Sequence, residues 1–448
     1  MRYLKNVISA DSYTWLLCLI AATLALSLAL NNILIILLVI IWLLEGNWSA
    51  KWNNLKQNKW ALIVIAFYAL HILGLSYTTD LKAGLFDVEK KLPLLLFPLV
   101  LGSTIFSKEI AYKKVAQYFT AGCFLAAIYC LAHALFRFWN NIPTQQSVYG
   151  GFEATQAFRK QNGGTSHIWD YITYTELTLP LKIHPTYFAM YVAFISLYLI
   201  LGLIQKKRVQ LSFAASKTCV LLLLAFFVVF LFLLSSRIIL IVFIISTITI
   251  PIVFFHRKAS KLKLATAAFL FLLTLGFIAS TVPVIRHRFT SDIILFTANN
   301  EHNKLPGTGM FARLQYWSAA TYTLAKNPVA GVGTGDAQSA LDSYYIKHNY
   351  TSAIGYNAHN QYLQTGAMLG VPGILNLFLI FVIMFWYGVR GKNMVLIYFI
   401  VLVGTVSFTE AILQINKGVV FLSLFSSLLL LTNSFRKKSG TVTESISY

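Results

Sequence analysis

The chain has 448 residues, of which 57% are hydrophobic and 11% charged, and its mean hydropathy is +0.68. This composition lies outside the range of soluble globular domains and excludes that class. A formal net charge of +21 indicates nucleic acid only in a soluble protein; cationic loops are how membrane proteins are oriented, so no nucleic-acid partner is predicted.

Apolar runs long enough to cross a bilayer recur along the whole chain. They predict an all-α polytopic membrane protein with about twelve transmembrane helices, although ten or eleven also fit the pattern. The first run lacks a following small-residue cleavage site and is predicted to remain as a helix, with its boundary to the second at Asn31-Asn32. The predicted spans are 13–30, 31–45, 60–77, 91–107, 115–138, 184–204, 217–235, 237–255, 264–282, 361–388, 394–413 and 417–433.

The charges predict the orientation of these spans. With the N-terminus in the cytoplasm, 21 of the 36 lysines and arginines fall in short cytoplasmic segments, whereas 11 of the 15 acidic residues fall outside. Because short cytoplasmic loops are enriched in lysine and arginine, both termini are predicted to be cytoplasmic. The predicted parts are an N-terminal transmembrane bundle (1–138), a first long outer loop (139–183), central transmembrane helices (184–282), a second long outer loop (283–360), C-terminal transmembrane helices (361–435) and a cytoplasmic tail (436–448).

The two long outer loops are rich in aromatic residues. Loops of this length in a compact protein are usually functional or disordered, and the aromatic density argues for folding onto the membrane surface. Within the second loop, residues 312–326 (ARLQYWSAATYTLAK) carry apolar and aromatic residues at helical spacing. They predict an amphipathic interfacial helix.

A histidine stands at the border between the second outer loop and an apolar run, in the segment NAHNQYLQTGAMLGVPG. Histidine titrates near neutral pH and acts as a general base, so His359 is a candidate to deprotonate a substrate, with Asn360 beside it. A plainer interpretation remains open, in which His359 bonds a loop carbonyl and Asn360 caps the following helix.

An arginine interrupts two apolar runs in FLFLLSSRIILIVF, with almost no loop around it. An ionisable residue at such a place is costly and is a functional-site hypothesis by default, so Arg237 is a candidate substrate ligand at the outer face. The alternative is an interfacial arginine whose charged end reaches water.

A third segment, RLQYWSAATYTLAKNPVAGVGTGD, joins the predicted interfacial helix to a glycine-rich turn. The turn lacks the lysine ending of a phosphate-binding P-loop, so two interpretations stay open: an anion site made of backbone N–H groups, or a flexible turn. Arg313 at the start of the segment is a candidate phosphate ligand or a polar helix-face residue.

Three further residues are candidates for substrate contacts. Glu410 lies outside, between the last two spans, where it orients a cation, accepts a proton or simply pairs with Lys417. Lys182 and His184 end the first long loop and add positive charge to the same face, or anchor the chain at the interface.

The sequence lacks the paired carboxylates of glycosidases and the acidic DxD-type motif of metal–nucleotide-sugar enzymes. It offers cations and one good base at the outer face instead. That combination suits a pyrophosphate leaving group, stabilised by arginines, and an acceptor hydroxyl activated by histidine. Neither a metal nor a cofactor is expected.

Taken together, the segments around Arg237, Arg313 and His359 resemble the O-antigen ligase superfamily, which includes O-antigen polymerases and bacterial protein O-oligosaccharyltransferases. The resemblance covers the C-terminal half and rests on the order and spacing of the three motifs. It implies a GT-C-like helical membrane fold with two long periplasmic loops. It also implies transfer of a glycan from a polyprenyl-pyrophosphate donor to a lipid or glycolipid acceptor, such as lipid A–core, at the periplasmic face of the bacterial inner membrane.

The resemblance also implies roles for single residues. His359 corresponds to the base for the acceptor hydroxyl, and Arg237 to a pyrophosphate ligand. Family members often carry another arginine near the end of the first long loop, where this chain has Lys182 and His184 instead; Arg313 is the predicted substitute.

Several functions fit the pattern. The leading one is a ligase that moves a polymerised glycan, and its neighbours are a polymerase and a protein O-glycosylating enzyme of the same superfamily. A flippase or transporter of lipid-linked glycans is a rival from another class. It would place charges within the spans, where this chain has mainly His71 and His133, so surface chemistry is favoured.

Overall fold

The structure is a computed structural model, and it describes residues 10–104, 108–144, 168–205, 216–255 and 309–443, with Thr266, Phe269, Leu273 and Gly276. These residues form helices, turns and irregular segments, without a β-strand among them. The all-helical fold class is therefore confirmed for the described chain.

Seventeen α-helices fall in the described ranges. The first seven are α1 (Ala10–Thr23), α2 (Leu28–Glu45), α3 (Trp48–Gln57), α4 (Lys59–Leu73), α5 (Leu81–Lys91), α6 (Pro93–Ser103) and α7 (Lys108–Trp139). The next five are α8 (Ile168–Tyr171), α9 (Tyr174–Thr178), α10 (Pro185–Ile204), α11 (Lys217–Leu234) and α12 (Arg237–Phe255). The last five are α13 (Gly309–Lys326), α14 (Ala337–Lys347), α15 (Gln361–Arg390), α16 (Met394–Val406) and α17 (Asn416–Thr443). Short 3-10 turns occupy Gly74–Tyr77, Leu179–Leu181, Thr351–Ala353 and Ile412–Gln414.

Seven helical segments of the described chain are long and apolar enough to span a membrane. They are Leu28–Glu45, Lys59–Tyr77, Ala111–Trp139, Pro185–Ile204, Lys217–Leu234, Arg237–Phe254 and Gln361–Arg390. Met394–Val406 and Asn416–Leu431 are shorter apolar helices. The chain is thus a polytopic membrane protein, and most of the predicted span 264–282 lies outside the described residues.

The predicted boundary at Asn31-Asn32 is wrong, because α1 ends at Thr23 and α2 begins at Leu28. Ser27 caps α2 by accepting a hydrogen bond from the N–H of Leu30. Asn31 is buried inside α2 and donates its amide to the carbonyl of Ile20 at 2.6 Å. An asparagine that donates to a carbonyl in the last turn of the neighbouring helix is tolerated within a helix, which hydropathy does not reveal.

The predicted span 394–413 also differs from the structure. α16 ends at Val406, and an irregular segment with one 3-10 turn leads to Asn416. This segment, residues 407–415, carries Glu410 and is called the Glu410 loop below. Its residues Ala411, Ile412 and Leu413 are buried, which explains why their hydropathy resembles that of a membrane helix.

The chain divides into two compact units. The first comprises residues 1–122 and 313–448, and in it α17 packs on α6, α15 packs on α16 and α4, and α1 packs on α2. Helix α5 contains a buried ion pair: Lys91 is fully buried and donates to Asp87 four residues earlier. The charge of Lys91 is therefore neutralised inside the unit rather than presented at the surface.

The second unit comprises residues 123–312. Helix α10 is its centre and packs against α11 and α12, with most of its side chains buried. Arg137, at the end of α7, pairs with the buried Glu176 of α9 and donates to the carbonyl of Pro143 at 2.6 Å. This pair ties the described part of the first long loop to α7.

Candidate active site

The start of α15 fixes the backbone around His359. The side chain of Asn360 accepts a hydrogen bond from the N–H of Leu363 at 3.1 Å and so caps the helix. On the other side, the N–H of His359 donates to the side chain of Asn357 at 2.9 Å. His359 itself has φ +40°, a left-handed conformation that is uncommon outside glycine but in which asparagine, aspartate and histidine are enriched.

His359 shares the carboxylate of Glu410 with Arg313 of α13. Its Nδ1 lies 3.2 Å from one oxygen of Glu410, and Nη2 of Arg313 lies 3.4 Å from the other oxygen. Glu410 is only 6% exposed, whereas the side chains of His359 and Arg313 are 26% and 30% exposed. The structure thus brings together three of the residues predicted from sequence, and their two cationic or basic groups remain accessible while the acid is buried.

The contact with Glu410 settles which nitrogen of His359 is free to accept a proton. An ionised carboxylate only accepts hydrogen bonds, so Nδ1 carries the proton in this contact. The lone pair of the neutral ring then lies on Nε2. This is the arrangement that a general base requires, with a second group orienting the imidazole.

Gln361 holds the Glu410 loop against the start of α15. Its backbone N–H donates to the carbonyl of Ser407 at 2.7 Å, and its side-chain oxygen accepts from the N–H of Leu413 at 2.7 Å. Gln361 is fully buried, and its amide nitrogen donates to Thr365. Because both ends of the loop bond to one residue next to His359, the distance from Glu410 to His359 is set by the fold.

A second glutamine, Gln414, links the Glu410 loop to α5. With its amide oriented to match its neighbours, Gln414 donates to Asp87 at 3.0 Å and accepts from Lys91 at 3.1 Å. Burial by itself raises the pKa of Asp87, but the charges of Lys91, His71 and Lys90 and the hydrogen bond from Lys91 together hold that pKa below its ordinary value. The buried ion pair therefore stays charged and serves as an anchor for the loop.

Two tyrosines complete the surroundings of His359. The ring of Tyr316 stacks on His359, with centroids 5.2 Å apart, and on Tyr356 at 5.5 Å. Tyr316 follows Arg313 by one helical turn on α13, so the two side chains face the same site. Burial raises the pKa of Tyr316 to about 12, so it stays protonated near neutral pH.

The glycine-rich turn 327–336 is not a nest for an anion. The N–H groups of Gly331, Val332, Gly333 and Thr334 all donate to backbone carbonyls, of Asn327, Ala367, Met368 and Gly74 respectively. The N–H of Gly335 donates to the hydroxyl of Thr78 at 2.8 Å. Because these five donors are already bonded, the interpretation of the turn as an anion site made of backbone N–H groups is wrong.

The same turn joins three helices. Asp336 accepts from the N–H and hydroxyl of Thr79 and from the N–H of Asp80, at 2.7 to 3.0 Å. Burial raises the pKa of Asp336, but these hydrogen bonds outweigh it and leave that pKa below its ordinary value. The turn therefore fixes the segment between α4 and α5 to the segment leading into α14.

Glycines are required where the turn meets α15. Gly370, within α15, has φ +67°, and a Cβ there would lie 2.6 Å from the carbonyl oxygen of Pro328. Gly331 also has φ +67°, and a Cβ there would lie 2.4 Å from the backbone of Met368. Backbone segments this close exclude any side chain, so these glycines allow α15 to kink around the turn.

The remaining predicted site residues belong to the second unit. Arg237 is the first residue of α12 and is partly buried, and only Ser235 and Ser236 separate it from α11. Lys182 is exposed with φ +48°, just after a 3-10 turn. His184 is exposed and caps α10 through its Nδ1, which accepts from the N–H of Thr186.

Four residues of structural weight escape prediction from sequence: Gln361, Tyr316, Tyr356 and Arg137. Tyr316 was within reach, because its spacing of three from Arg313 puts both on one helix face. Gln361 carried no signal, since its partners Ser407 and Leu413 come from a distant loop.

Comparison with known proteins agrees with the motifs. Residues 220–378 match the family model described as O-antigen ligase, and this part of the chain contains Arg237, Arg313 and His359. The match supports the O-antigen ligase superfamily. No curated protein matches the chain.

Proposed function

We propose that this chain, which carries an O-antigen ligase domain at residues 220–378, transfers a glycan from a polyprenyl-pyrophosphate donor to a hydroxyl of lipid A–core or a similar acceptor. The observation that carries the proposal is the contact of His359 with the buried Glu410, beside the accessible Arg313. A base, an orienting acid and an anion ligand are what this reaction requires.

In the proposed reaction, Nε2 of His359 takes the proton of the acceptor hydroxyl. The acceptor oxygen forms a bond to the anomeric carbon of the donor glycan as the bond from that carbon to the pyrophosphate oxygen breaks. Glu410 holds the imidazole through Nδ1 and stabilises the imidazolium that forms.

Arginines stabilise the leaving group. The charge that develops on the pyrophosphate is proposed to be met by Arg313 and Arg237, because a guanidinium pairs with phosphate oxygens through two N–H groups at once. Asn360, Lys182 and His184 are proposed as further substrate contacts. A pyrophosphate already leaves readily, so the mechanism is proposed to need neither a metal nor a cofactor.

The proposal includes the topology. We place the protein in the bacterial inner membrane with about twelve spans, a GT-C-like fold, both termini in the cytoplasm and the site on the periplasmic face. Seven apolar helices and the excess of lysine and arginine in the predicted cytoplasmic segments support this placement. The six predicted parts of the chain, from the N-terminal bundle to the tail, remain part of the proposal.

Reconstitution tests the function directly. The purified full-length protein in liposomes receives a polyprenyl-pyrophosphate glycan and one of three acceptors: lipid A–core, the donor glycan itself, or a serine- and threonine-containing peptide. Mass spectrometry of the products is expected to show transfer to lipid A–core. Transfer only to the other acceptors would identify a polymerase or a protein O-glycosylating enzyme, and donor movement across the bilayer without transfer would identify a flippase.

Two additions to the assay examine the proposed chemistry. Arg237→Ala is expected to raise the donor concentration needed for half-maximal rate, and Arg237→Lys to retain part of the wild-type behaviour, because lysine keeps the charge but not the paired N–H geometry. EDTA is expected to leave the rate unchanged. Inhibition by EDTA that one added metal reverses would contradict the metal-free mechanism.

A further inference from the structure

An exposed tyrosine ring lies beside the proposed base. Tyr356 is 49% exposed, and its ring centroid is 6.0 Å from that of His359. Resting on the proposed function, we propose that Tyr356 is the platform on which a pyranose ring of the acceptor stacks, so that the hydroxyl attacked by His359 belongs to a sugar rather than to a serine or threonine.

The rings of Tyr316, Tyr356 and His359 pack against one another, and Tyr316 stacks on the other two. Tyr316 is 5% exposed and lies nearly parallel to both other rings, at 19° to Tyr356 and 27° to His359. The three centroid distances, 5.2, 5.5 and 6.0 Å, form a nearly equilateral triangle. The ring of Tyr356 is therefore about one ring width from the imidazole, which is near enough for a molecule stacked on Tyr356 to reach His359.

The backbone of Tyr356 is fixed although its ring is exposed. Its carbonyl accepts from Gln338 at 3.2 Å and from the hydroxyl of Tyr345 at 3.4 Å. The preceding Gly355, with φ +84°, donates its N–H to Asp342 at 2.8 Å. Three side chains of α14 thus hold the backbone of this segment, and the ring itself stacks on Tyr316. A ring positioned in this way before binding loses little conformational freedom when a ligand arrives.

The chemistry of the surface matches a sugar. The face of a tyrosine ring is apolar and electron-rich, and it packs against polarised C–H bonds. A pyranose has a face of such C–H bonds and a rim of hydroxyl groups, so stacking on Tyr356 leaves the hydroxyls free to reach His359 and the donors of Arg313. A serine or threonine in a peptide has no comparable flat face, and would leave the ring of Tyr356 uncovered.

The test compares four side chains at one position in the reconstituted enzyme. Wild type, Tyr356→Phe, Tyr356→Leu and Tyr356→Ala are assayed with varied lipid A–core and varied donor. Removing the ring is expected to raise the KM for lipid A–core about tenfold for both Leu and Ala, with the donor KM unchanged, while Phe stays close to wild type. Tyr322→Ala is the control, a partly exposed tyrosine of the same helix as Tyr316, and is expected to match wild type.

Three outcomes would overturn the sugar platform: an unchanged KM for lipid A–core in Tyr356→Ala, an equal rise in donor KM, or Leu behaving like Phe. The last would show that only apolar contact, as with lipid, is needed at this position.

Binding without donor separates this inference from the proposed function. Lipid A–core is bound to wild-type and Tyr356→Ala protein in nanodiscs, and the two Kd values are compared. If the variant binds lipid A–core about tenfold more weakly and wild type shows no glycan transfer, the sugar site stands and the transferase function is refuted. If the two Kd values are equal and wild type does transfer the glycan, the transferase function stands and the sugar platform is refuted. Transfer to the peptide alone also refutes the platform.

Discussion

Two segments that resemble the O-antigen ligase superfamily differ in which of their polar groups are bonded within the protein. Around His359, one ring nitrogen is bonded and the side chain is partly exposed, next to a buried acid and an accessible arginine. In the glycine-rich turn, five consecutive N–H groups and the carboxylate of Asp336 are all bonded within the protein. The sequence left the turn open between an anion site and a flexible turn. The structure bonds the donors of the turn within the protein and leaves the imidazole at the helix start partly exposed.

The difference teaches what a motif has to keep free in order to act on a substrate. Backbone N–H groups bind a phosphate only while no carbonyl occupies them. The turn uses its donors to join α4, α5 and α15, and in doing so supports the helix whose first residues adjoin His359. In the His359 segment, by contrast, the cap of α15 is bonded by the N–H of Leu363, and the imidazole stays accessible.

The largest effect is expected from the base itself. His359→Asn removes the imidazole but suits the left-handed backbone, since asparagine tolerates positive φ. The rate of glycan transfer is expected to fall by about 10²–10⁴-fold, with an unchanged melting temperature in detergent. A variant that keeps the wild-type rate in the reconstituted assay would remove His359 as the base.

The next largest effect is expected from the orienting acid. Glu410→Gln keeps the size of the side chain but loses the charge that both Arg313 and His359 contact. A hydrogen bond to a charged group contributes about 1.5–3 kcal/mol, so kcat is expected to fall roughly 10–100-fold. Glu410→Asp should recover part of the loss. Equal kcat values for Gln and wild type would show that Glu410 only supports the fold.

A glycine pair tests the architectural segment. Gly331 and Gly46 share φ +67°, but a Cβ at Gly331 meets the backbone of Met368, whereas a Cβ at Gly46 meets nothing within 4 Å. Alanine at either position meets an unfavourable positive φ, and the additional loss of stability in Gly331→Ala, about 1–3 kcal/mol, is attributed to the close contact with Met368. Thermal melting in detergent checks this, and equal melting temperatures would contradict the tight packing of the turn on α15.

The smallest effect concerns pH and the same turn. The depressed pKa of Asp336 means that its stabilising contribution is present above the ordinary aspartate pKa and is lost as the pH falls through the lower, folded value. The melting temperature of Asp336→Asn is expected to lie below wild type at pH 7 and to converge with it in acid. At pH 7 the transfer rate of the folded variant should stay near wild type. A constant difference across the acidic range would contradict the role of the carboxylate.

Helix assignment followed hydropathy well where a run was both long and uniform. Lys217–Leu234 and Pro185–Ile204 match their predicted spans within a residue. Assignment failed at Asn31 and in the Glu410 loop, where buried contacts reverse the local preference: Asn31 satisfies a carbonyl of α1, and Ile412 and Leu413 are apolar because the unit buries them outside a long helix.

The candidate residues could be named from sequence, but their partnership could not. Arg313 and Glu410 are 97 residues apart, and His359 and Glu410 are 51 apart. No local periodicity relates positions so distant. The sequence left Glu410 open between an ion pair with Lys417 and a role in the site, and the fold supplied its contacts with Arg313 and His359.

The sequence by itself determined that this is a polytopic membrane protein, because a run of about 20 residues enters a bilayer only when it is predominantly apolar. It also fixed which residue types could carry chemistry. Tertiary structure decided which of those groups remain available. Gln361 and Gln414 hold the Glu410 loop in place, so Glu410 meets both His359 and Arg313, whose side chains stay partly exposed. The N–H groups of the glycine-rich turn are not available to a ligand. Each buried N–H needs an acceptor, and in this fold the nearest acceptors belong mostly to neighbouring helices.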